Sequence, residues 1–440
     1  MSCNSGYLIF ILIALIINSF SGQKNYSQSF SSPIGIPISL SGNFGELRSN
    51  HFHTGLDIKT NGSINYRIYA IDTGYVSRIN ISHKGYGKAI YIDHPNGYTS
   101  VYAHLNRFPE KVEKIIRQKQ YELKQEEITY YLDSSQILVN KGEIIAYSGN
   151  SGSSSGPHLH FEIRETKSEH PVNPQLFNFK ILDTRYPIIK QLKLYHFSDK
   201  SLHQLCSEEL FSLKKINHSY QLKYDSIILI SGPIGMGISA ADYYNNSNNS
   251  CGIYSIKMYV DEMLKYNLKF DELDFDNNHQ INIHKDYNAY HDLKKKIHQL
   301  YIHPNNELDI YNRNLGNGII YFNDSLVHKV KIQVADFNNN HSELNFNLIQ
   351  KGSPSCVANK LKFNKYCYSK DSNWRISLDS NSFYNYPNIK MESNINYIKI
   401  KNDLPAKNQF VLAMKIIPEF NKYLDKTFIA NITKMVIYLI

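Results

Sequence analysis

The sequence of 440 residues predicts a mainly β protein that carries one inserted helix. Aromatic residues make up 13% of the chain, nearly all of them tyrosine (34) and phenylalanine (21), and these residues favour strands. Short apolar or alternating runs, separated by Gly, Asn and Pro, extend from Ser31 to about Phe179 and resume beyond residue 181. We therefore expect an antiparallel β-sheet domain, followed by β-sandwich-like C-terminal structure.

The composition excludes several classes of protein. Hydrophobic residues are 42% and charged residues 20% of the chain, which excludes a highly charged disordered protein. A mean hydropathy of −0.41 excludes a polytopic membrane protein. The net charge of +9 is spread along the chain, and the densest basic run is Lys294-Lys295-Lys296, so no nucleic acid partner is expected.

The N-terminus resembles a secretory signal peptide over residues 1–21. An apolar run from Tyr7 to Ile17 is too short to span a bilayer, and Ser19 and Ser21 are the small residues expected before cleavage at Gly22. Because no Lys or Arg precedes the apolar run, an uncleaved anchor is the alternative. The prediction is export to the periplasm, cell envelope or exterior, without a stable membrane span after cleavage.

The first domain is expected over residues 22–180. Three of its segments have strand-like lengths and patterns, namely Ile68–Ile79, Ala89–Asp93 and Tyr98–Leu105. His94-Pro95-Asn96-Gly97 separates the last two, and Asn-Gly is a strong hairpin signal. These features predict antiparallel neighbours joined by tight turns.

A helical insertion is expected at about 109–130. The stretch Glu110–Glu127 contains no Gly or Pro, and Pro109 stands where a first helical turn tolerates it. Its helical spacing is given by Val112, Ile115, Ile116, Lys119 and Leu123. Since it follows Tyr102-Ala103-His104-Leu105, we expect it to shape or cover a nearby cleft.

Residues 181–440 are expected to form a β-rich region, as one module or as two covering about 181–350 and 351–440. Strand-like runs occur at Ser226–Ile230, Ile253–Val260 and His328–Val334, and Asp286–Ile302 is compatible with a short helix. This region either packs and spaces the first domain or binds a wall polymer or an envelope protein.

Four cysteines remain if the signal is removed: Cys206, Cys251, Cys356 and Cys367. They lack C-x-x-C spacing, which argues against a structural zinc knot. One or two disulfides are compatible with an oxidising compartment, and the sequence leaves their pairing open.

Three short stretches carry candidate chemistry: His53-Thr54-Gly55-Leu56-Asp57, Tyr102–Leu105 and Gly156–Glu162. In a strand His158 and His160 share one face, which alone is typical of a solvated surface. With His53 and Asp57, one imidazole of that pair completes three ligands. Three ligands and an open position are the pattern of a catalytic zinc site.

The motifs around these stretches resemble those of the lysostaphin/LytM-type zinc metallo-endopeptidases (metallopeptidase family 23), which cut peptidoglycan cross-bridges. The resemblance runs from about Gly42 to Pro174. Besides the three stretches it includes Gly42–Arg48, Gly85-Tyr86-Gly87, the His94–Tyr98 hairpin, Lys141-Gly142-Glu143 and Ser148–Gly152.

The resemblance implies that His53, Asp57 and His160 bind one Zn²⁺ per chain. It places His104 and His158 beside the water that attacks the scissile carbonyl. One of the two would act as general base and the other would stabilise the oxyanion, and the sequence leaves their order open.

Other polar residues have simpler interpretations. Glu162 either supports His160 or is a solvated strand residue. The stretch Gly149–Gly156 is interpreted as a flexible wall of the substrate cleft. The remaining histidines of this region are expected to be a non-ligand (His51), a turn residue (His94) and surface residues (His83 and His170).

The leading hypothesis is a secreted zinc endopeptidase that hydrolyses the peptide stems and cross-links of peptidoglycan. The alternative is a non-catalytic regulator on the same fold, which activates another wall hydrolase. Regulators of that kind typically lack zinc ligands or catalytic histidines, whereas all five positions are filled here. A secreted peptidase that acts on a protein substrate is a third interpretation.

Overall fold

The computed structural model describes residue 26 and residues 28–198, 205–224 and 227–352, together with the backbone of six short strands beyond residue 352. The expected signal peptide at 1–21 lies outside the described residues. None of the described helices is long and apolar enough to cross a membrane.

The first region forms a nine-stranded sheet and a three-stranded sheet. The order in the large sheet is β1-β2-β11-β6-β5-β4-β8, with β12 on β11 and β9 on β4, and every pair in it is antiparallel. The small sheet has the order β3-β10-β7. The strands are β1 (Leu40–Gly42), β2 (Leu56–Lys59), β3 (Arg67–Tyr69), β4 (Gly74–Ile81), β5 (Lys88–Asp93), β6 (Tyr98–Ala103), β7 (Leu105–Arg107), β8 (Ile128–Tyr131), β9 (Leu138–Val139), β10 (Ile144–Ser148), β11 (His158–Glu165) and β12 (Pro171–Val172).

Two predicted strands are interrupted in the structure. The segment predicted as Ile68–Ile79 is divided between β3 and β4 by a bend before Gly74. The segment predicted as Tyr98–Leu105 breaks at His104, whose φ of 58° lies in the left-handed region. The predicted hairpin between β5 and β6 is confirmed, and Gly97 supplies its positive φ of 84°.

The inserted helix α1 (Glu110–Leu123) begins directly after Pro109, as predicted. It ends earlier than predicted, because Lys124 adopts a left-handed conformation with φ 52°. Val112 and Ile116 are buried, whereas Leu123 is 55% exposed and lies off the buried face.

A ten-stranded sheet dominates the second region. Its order is β19-β18-β21-β22-β15-β14-β13-β17-β20, with β16 on β22, and β22 pairs in parallel with β15 and β16. Two short helices, α2 (Ile281–His284) and α3 (Tyr287–Leu293), precede β20. The strands are β13 (Ile188–Phe197), β14 (Leu205–Ile216), β15 (Ser219–Leu222), β16 (Ile227–Ile230), β17 (Ile234–Ala241), β18 (Ser255–Val260), β19 (Met263–Lys269), β20 (His298–Gln299), β21 (Val327–Ala335) and β22 (His341–Gln350).

The two halves of this sheet enclose one apolar core, which agrees with the sandwich-like prediction. Leu192 of β13 and Ile238 of β17 share that core with Ile256 of β18 and Leu344 of β22. The helix expected within Asp286–Ile302 is limited to α3. Three-residue 3-10 helices occur at Asn278–Gln280 and Arg313–Leu315, and a four-residue one at Pro174–Phe177.

Beyond residue 352 the described backbone forms two small sheets. One has the order β23-β24-β27-β28 and the other pairs β25 with β26. These strands are β23 (Tyr366–Tyr368), β24 (Trp374–Ser377), β25 (Lys390–Ser393), β26 (Ile398–Lys401), β27 (Val411–Met414) and β28 (Val436–Leu439).

The apolar cores of the two regions exchange residues. Phe44, Leu47 and Phe52, which flank the first candidate motif, pack into the core of the ten-stranded sheet. Tyr244 and Cys251, from the loop after β17, pack into the core of the first region. The second region is therefore in intimate contact with the chain around the first motif.

The cysteines divide into two kinds. Cys206 is disulfide-bonded, and its partner lies outside the described side chains. Cys251 is a free, buried thiol, and burial raises its pKa. Cys356 and Cys367, for which pairing was left open, have no described side chain.

Candidate metal centre

Strand register brings two of the predicted ligands together. β2 and β11 are antiparallel neighbours in which Asp57 lies directly opposite His160. Leu159 and Phe161, on the other face of β11, are fully buried and fix its orientation. His53 lies just before β2 and reaches the same point.

The donor atoms of these three residues converge. His53 Nε2 is 3.0 Å from Asp57 Oδ1 and 3.1 Å from His160 Nδ1. His160 Nδ1 is 3.0 Å from the same Asp57 oxygen. Ligand atoms around a tetrahedral zinc ion lie roughly 3.3 Å apart, because Zn–N and Zn–O bonds are about 2.0–2.2 Å long.

Hydrogen bonds at the far side of each ring determine what faces this point. His53 donates Nδ1–H to the carbonyl oxygen of Asn43 at 2.8 Å. His160 donates Nε2–H to Glu162 Oε1 at 2.8 Å. The other nitrogen of each neutral ring therefore presents a lone pair. Two imidazole lone pairs and a carboxylate oxygen repel one another at 3 Å unless a cation or a proton lies between them, so the donor set fits a metal ion.

Asp57 is held as a carboxylate. Burial opposes its ionisation, but His53, His158 and His160 outweigh burial and hold its pKa well below the usual range. Its second oxygen, Oδ2, accepts a hydrogen bond of 3.0 Å from Arg48. A cation at the convergence point would meet a negative ligand.

Glu162 supports His160, and the alternative of a solvated strand residue is wrong. Its side chain is fully buried, and its Oε1 also accepts hydrogen bonds from Thr54 at 2.5 Å and Tyr86 at 2.6 Å. Arg164 Nε donates to Oε2 at 2.8 Å. Although burial raises the pKa of Glu162, Arg164 and His160 outweigh it, so the carboxyl stays ionised.

The same charges act on His160. Burial alone would lower its pKa, but Asp57 and Glu162 raise it to about 9. The centre therefore attracts positive charge strongly, whether as a proton or as a metal ion.

His104 and His158 lie side by side next to the three donors, with ring centroids 4.8 Å apart. His104 donates Nδ1–H to the carbonyl of Ser151, and His158 donates Nδ1–H to the carbonyl of Gly156, both at 2.8 Å. Each ring is thereby fixed through Nδ1, and His158 Nε2 lies 3.4 Å from Asp57 Oδ1. Burial, with His160 and His158 nearby, lowers the pKa of His104 to about 4.

Hydrogen bonds fix the loop that was expected to be a flexible wall. The Ser151 hydroxyl donates to the carbonyl of Leu105 at 2.8 Å and accepts from the Lys88 amide at 2.9 Å. Gly87 and Gly152, both with positive φ, approach each other so closely that a side chain on either would collide. This packing holds the Ser151 carbonyl where His104 needs it.

The remaining histidines lie where their simple interpretations put them. His51 and His83 are exposed and His170 is half-buried. His94 starts the hairpin turn, where it is buried and bonded to Thr73 and Ser100. None of these four belongs to the group that could hold a metal.

Contributors that were not identified as such from the sequence include Asn43, Arg48, Tyr86 and Arg164. The first three lie in motifs that carried the family resemblance, and that was the available signal, whereas Arg164 lies just beyond the last motif. Asn43 acts through its backbone carbonyl, which no side-chain pattern reveals.

Three converging donors in an antiparallel β domain form a group that could hold a metal ion, with two histidines beside it. Residues 51–121 and 124–174 match the model of Peptidase family M23, which confirms the resemblance for this part of the chain.

Among curated proteins, the chain is similar to DD-carboxypeptidase/endopeptidase Mpg of Neisseria meningitidis serogroup B and of Neisseria gonorrhoeae. Both are 36% identical over 90 residues, which are 20% of this chain. The match spans only 15% of the length of these relatives.

Among solved structures, the catalytic domain of a point mutant of the prophage-encoded M23 protein EnpA from Enterococcus faecalis is 23% identical, with a TM-score of 0.25. The match covers 35% of this chain and 98% of that domain. The catalytic domain of lysostaphin from Staphylococcus simulans is 24% identical, with a TM-score of 0.23, and the match covers 31% of this chain and 87% of that domain.

Proposed function

We propose that this chain is an exported zinc endopeptidase that hydrolyses peptide cross-links of bacterial peptidoglycan. The observation that carries the proposal is the convergence of three lone-pair donors beside two histidines oriented by backbone carbonyls. The M23 assignment and the endopeptidase name of the Neisseria relatives support the reaction class and the substrate.

His53, Asp57 and His160 would hold one zinc ion. When bound, zinc supplies a Lewis acid that polarises a carbonyl and lowers the pKa of water. Glu162 and the Asn43 carbonyl fix the ring orientation of the two histidine ligands, as the partners of metal-binding histidines usually do.

His104 and His158 would carry the proton chemistry. Their Nδ1 atoms are engaged by carbonyls. His158 Nε2 lies beside Asp57, and the ring of His104 lies next to that of His158. One imidazole accepts the proton of the attacking water, and the other hydrogen-bonds the oxygen that becomes negatively charged.

The centre is buried enough to orient its groups and open enough to admit a peptide. The side chains of Asp57 and His158 are 13% and 16% exposed, whereas those of His53 and His160 are 8% and 7% exposed. A peptide would approach from the Asp57–His158 side. Export follows from the expected signal at 1–21, and the envelope supplies the substrate.

The test combines metal analysis with digestion of purified sacculi by the full chain. The wild type should bind one zinc, release new muropeptides and lose activity to a chelator. His160→Ala should lose the metal, whereas His158→Ala should retain most of it and lose turnover. His51→Ala, an exposed non-ligand, is the matched control and should behave as wild type.

Three outcomes contradict parts of the proposal. Stoichiometric zinc without muropeptide release from any wall type favours the regulator. Cleavage of unfolded protein but not of sacculi favours a protein substrate. Metal loss in His158→Ala with metal retention in His160→Ala refutes the assignment of roles.

A further inference from the structure

A second group of acidic side chains meets in the other half of the chain, away from the histidines. Asp183 precedes β13, Asp242 follows β17 directly, and Asp336 follows β21 directly. One carboxylate oxygen from each lies within 4.8 Å of the others. All three residues are buried, with exposed fractions of 6%, 0% and 1%.

Among the described residues, no cationic side chain pairs with this acidic cluster. Within residues 28–198, 205–224 and 227–352, no lysine or arginine forms an ion pair with any of the three. Arg185 is the nearby cation, but its guanidinium donates to the carbonyls of Ser247 at 2.9 Å and Tyr244 at 3.4 Å. Burying charges without a partner is costly.

The cluster also contains unsatisfied acceptors. Both carboxylate oxygens of Asp242 are buried and lack a hydrogen-bond partner. The same holds for Asp183 Oδ2. A fully buried carboxylate with two unpaired oxygens, close to two other carboxylates, is rare unless a cation or shared protons lie between them. Burial and the neighbouring carboxylates raise the pKa of Asp242 to about 8, and burial foremost raises that of Asp336 to about 7.

The donor chemistry selects the cation. The three ligands are oxygens, which suit hard cations, whereas nitrogen or sulfur ligands are usual for zinc. Calcium bonds of about 2.3–2.6 Å keep ligand atoms within roughly 5 Å of one another, as found here. The segment Asp336-Phe337-Asn338-Asn339-Asn340 has the D-x-N-x-N spacing that opens calcium-binding loops, but His341 and Asn347 stand where the full pattern has Gly and Glu. Asn338 and Asn340 lie beside the cluster, since their Nδ2 atoms donate to the backbone carbonyl of Asp183 at 3.2 and 3.3 Å. Asn340 Nδ2 also donates to Asp336 Oδ2 at 2.7 Å.

We propose that Asp183, Asp242 and Asp336 bind a calcium ion. The ion would join the loop after β17 to the segment before β13 and to the turn between β21 and β22. This site does not depend on the proposed peptidase activity.

The loop after β17 leads from this site to the metal centre. Asp242 and Cys251 close the loop through paired backbone hydrogen bonds of 3.0 and 2.9 Å. The next residue, Gly252, donates its amide to Asn43 Oδ1 at 2.7 Å and accepts from Asn43 Nδ2 at 2.8 Å. Asn43 is the residue whose carbonyl orients His53. Calcium would therefore stabilise the support of His53 without touching it.

The experiment measures calcium binding by the full chain, stripped with a chelator and resupplied with one equivalent of zinc, at pH 7.5. Equilibrium dialysis should find one Ca²⁺ per chain, and CaCl₂ should raise the midpoint of thermal unfolding by several degrees. Asp242→Asn and Asp183→Asn should each weaken calcium binding at least tenfold. Asp309→Asn, an exposed aspartate in the same half of the chain, should bind calcium as wild type.

Three results would overturn the proposal. One is that the wild type binds no calcium and Asp242→Asn unfolds at a higher temperature than the wild type, which would show that protonation of the carboxyls stabilises the cluster. Another is an equal calcium shift in wild type and Asp242→Asn. The third is an equal shift with MgCl₂ at the same concentration, which refutes calcium as the cation. If Asp242→Asn does not fold, the wild-type dialysis and Asp183→Asn decide.

Discussion

At the scale of single residues, the candidate metal centre depends on groups that never face the metal position. Each donor nitrogen is defined by the hydrogen bond on the opposite side of its ring, to the Asn43 carbonyl or to Glu162. Glu162 is itself held by Arg164, Tyr86 and Thr54. The orientation of the ligand side chains is thus set by the buried polar residues that surround them.

Replacing Glu162 with Gln should weaken zinc binding by about 10–100-fold. The substitution keeps the shape of the side chain but removes the charge that holds Nε2–H of His160 and leaves Arg164 without its buried partner. Competition with a chromophoric chelator measures the zinc affinity of the full chain.

The control for this substitution is Glu110→Gln, an exposed glutamate at the start of α1. Its zinc affinity should equal that of wild type. An unchanged affinity in Glu162→Gln would show that His160 keeps its orientation without the carboxylate.

Sequence reasoning reached part of this residue-scale arrangement. The spacing of His158 and His160 places them on one face, and the motifs bring His53 and Asp57 into the same hypothesis. The pattern could not show that Asp57 pairs with His160 across β2 and β11, because register is set by the packing of both faces. The role of the Asn43 carbonyl depends on a long-range contact with Gly252, 209 residues away.

At the scale of elements, positive backbone angles decide where strands and helices end. His104 ends β6 by adopting a φ of 58°, and Lys124 ends α1 with a φ of 52°. Lysine does not signal such a conformation, and the enrichment of histidine there is too weak to predict it, so the sequence predicted a longer strand and a longer helix. The break at His104 gives the ring a direction that a regular strand would not.

Lys124→Gly should stabilise the protein by about 0.5–1 kcal/mol, because glycine adopts the left-handed angle at a helix C-terminus without steric cost. Urea unfolding of the full chain measures the change, and Lys124→Ala is the matched control, which should give no gain. A loss of stability in Lys124→Gly would show that the lysine side chain, not the backbone angle, matters at this position.

At the scale of the whole molecule, the two regions share their cores. Phe52 is fully buried against Phe270 and His284, and its amide donates to Asn278 at 2.7 Å. Lys285 also donates to the carbonyls of Arg48 and Ser49. The sequence indicated a change of character near residue 181 but could not show this interlocking, because it depends on contacts between distant segments.

A fragment ending at residue 180 should therefore fold poorly. It would expose Phe44, Leu47 and Phe52, each worth about 1.5–3 kcal/mol of burial. Compared with the chain 22–440, the fragment 22–180 should show weak near-ultraviolet circular dichroism, bind a hydrophobic dye and hold zinc at least tenfold more weakly. A fragment with native spectra and full zinc affinity would contradict this expectation.

Acid should destabilise the molecule through two buried histidines in the second core. His284 and His298 are hydrogen-bonded at 2.9 Å, and burial above all lowers both pKa values, that of His298 to about 3. Both are neutral in the folded state, whereas the unfolded chain takes up protons below about pH 6.5. The contribution of these neutral histidines to the free energy of unfolding is thus fully present above about pH 6.5. It is lost as the pH falls towards 3, by about 1.4 kcal/mol per pH unit for each histidine.

Urea unfolding between pH 7.5 and 4.5 measures this loss. His298→Gln should flatten the pH dependence, and His83→Gln, at an exposed site, should leave it as in wild type. Equal slopes in all three proteins would assign the acid sensitivity to other groups.

The hydrogen bond between Phe52 and Asn278 also affects when the first region can complete its folding during synthesis. The two residues are 226 positions apart, and ribosomes add about 5–20 residues per second, so roughly 10–45 seconds separate their synthesis. During that interval the segment that carries Phe52 and His53 lacks the part of its packing surface that includes Phe270 and His284. We expect the candidate metal centre of the growing chain to take its final form only after the second half of the chain has been made.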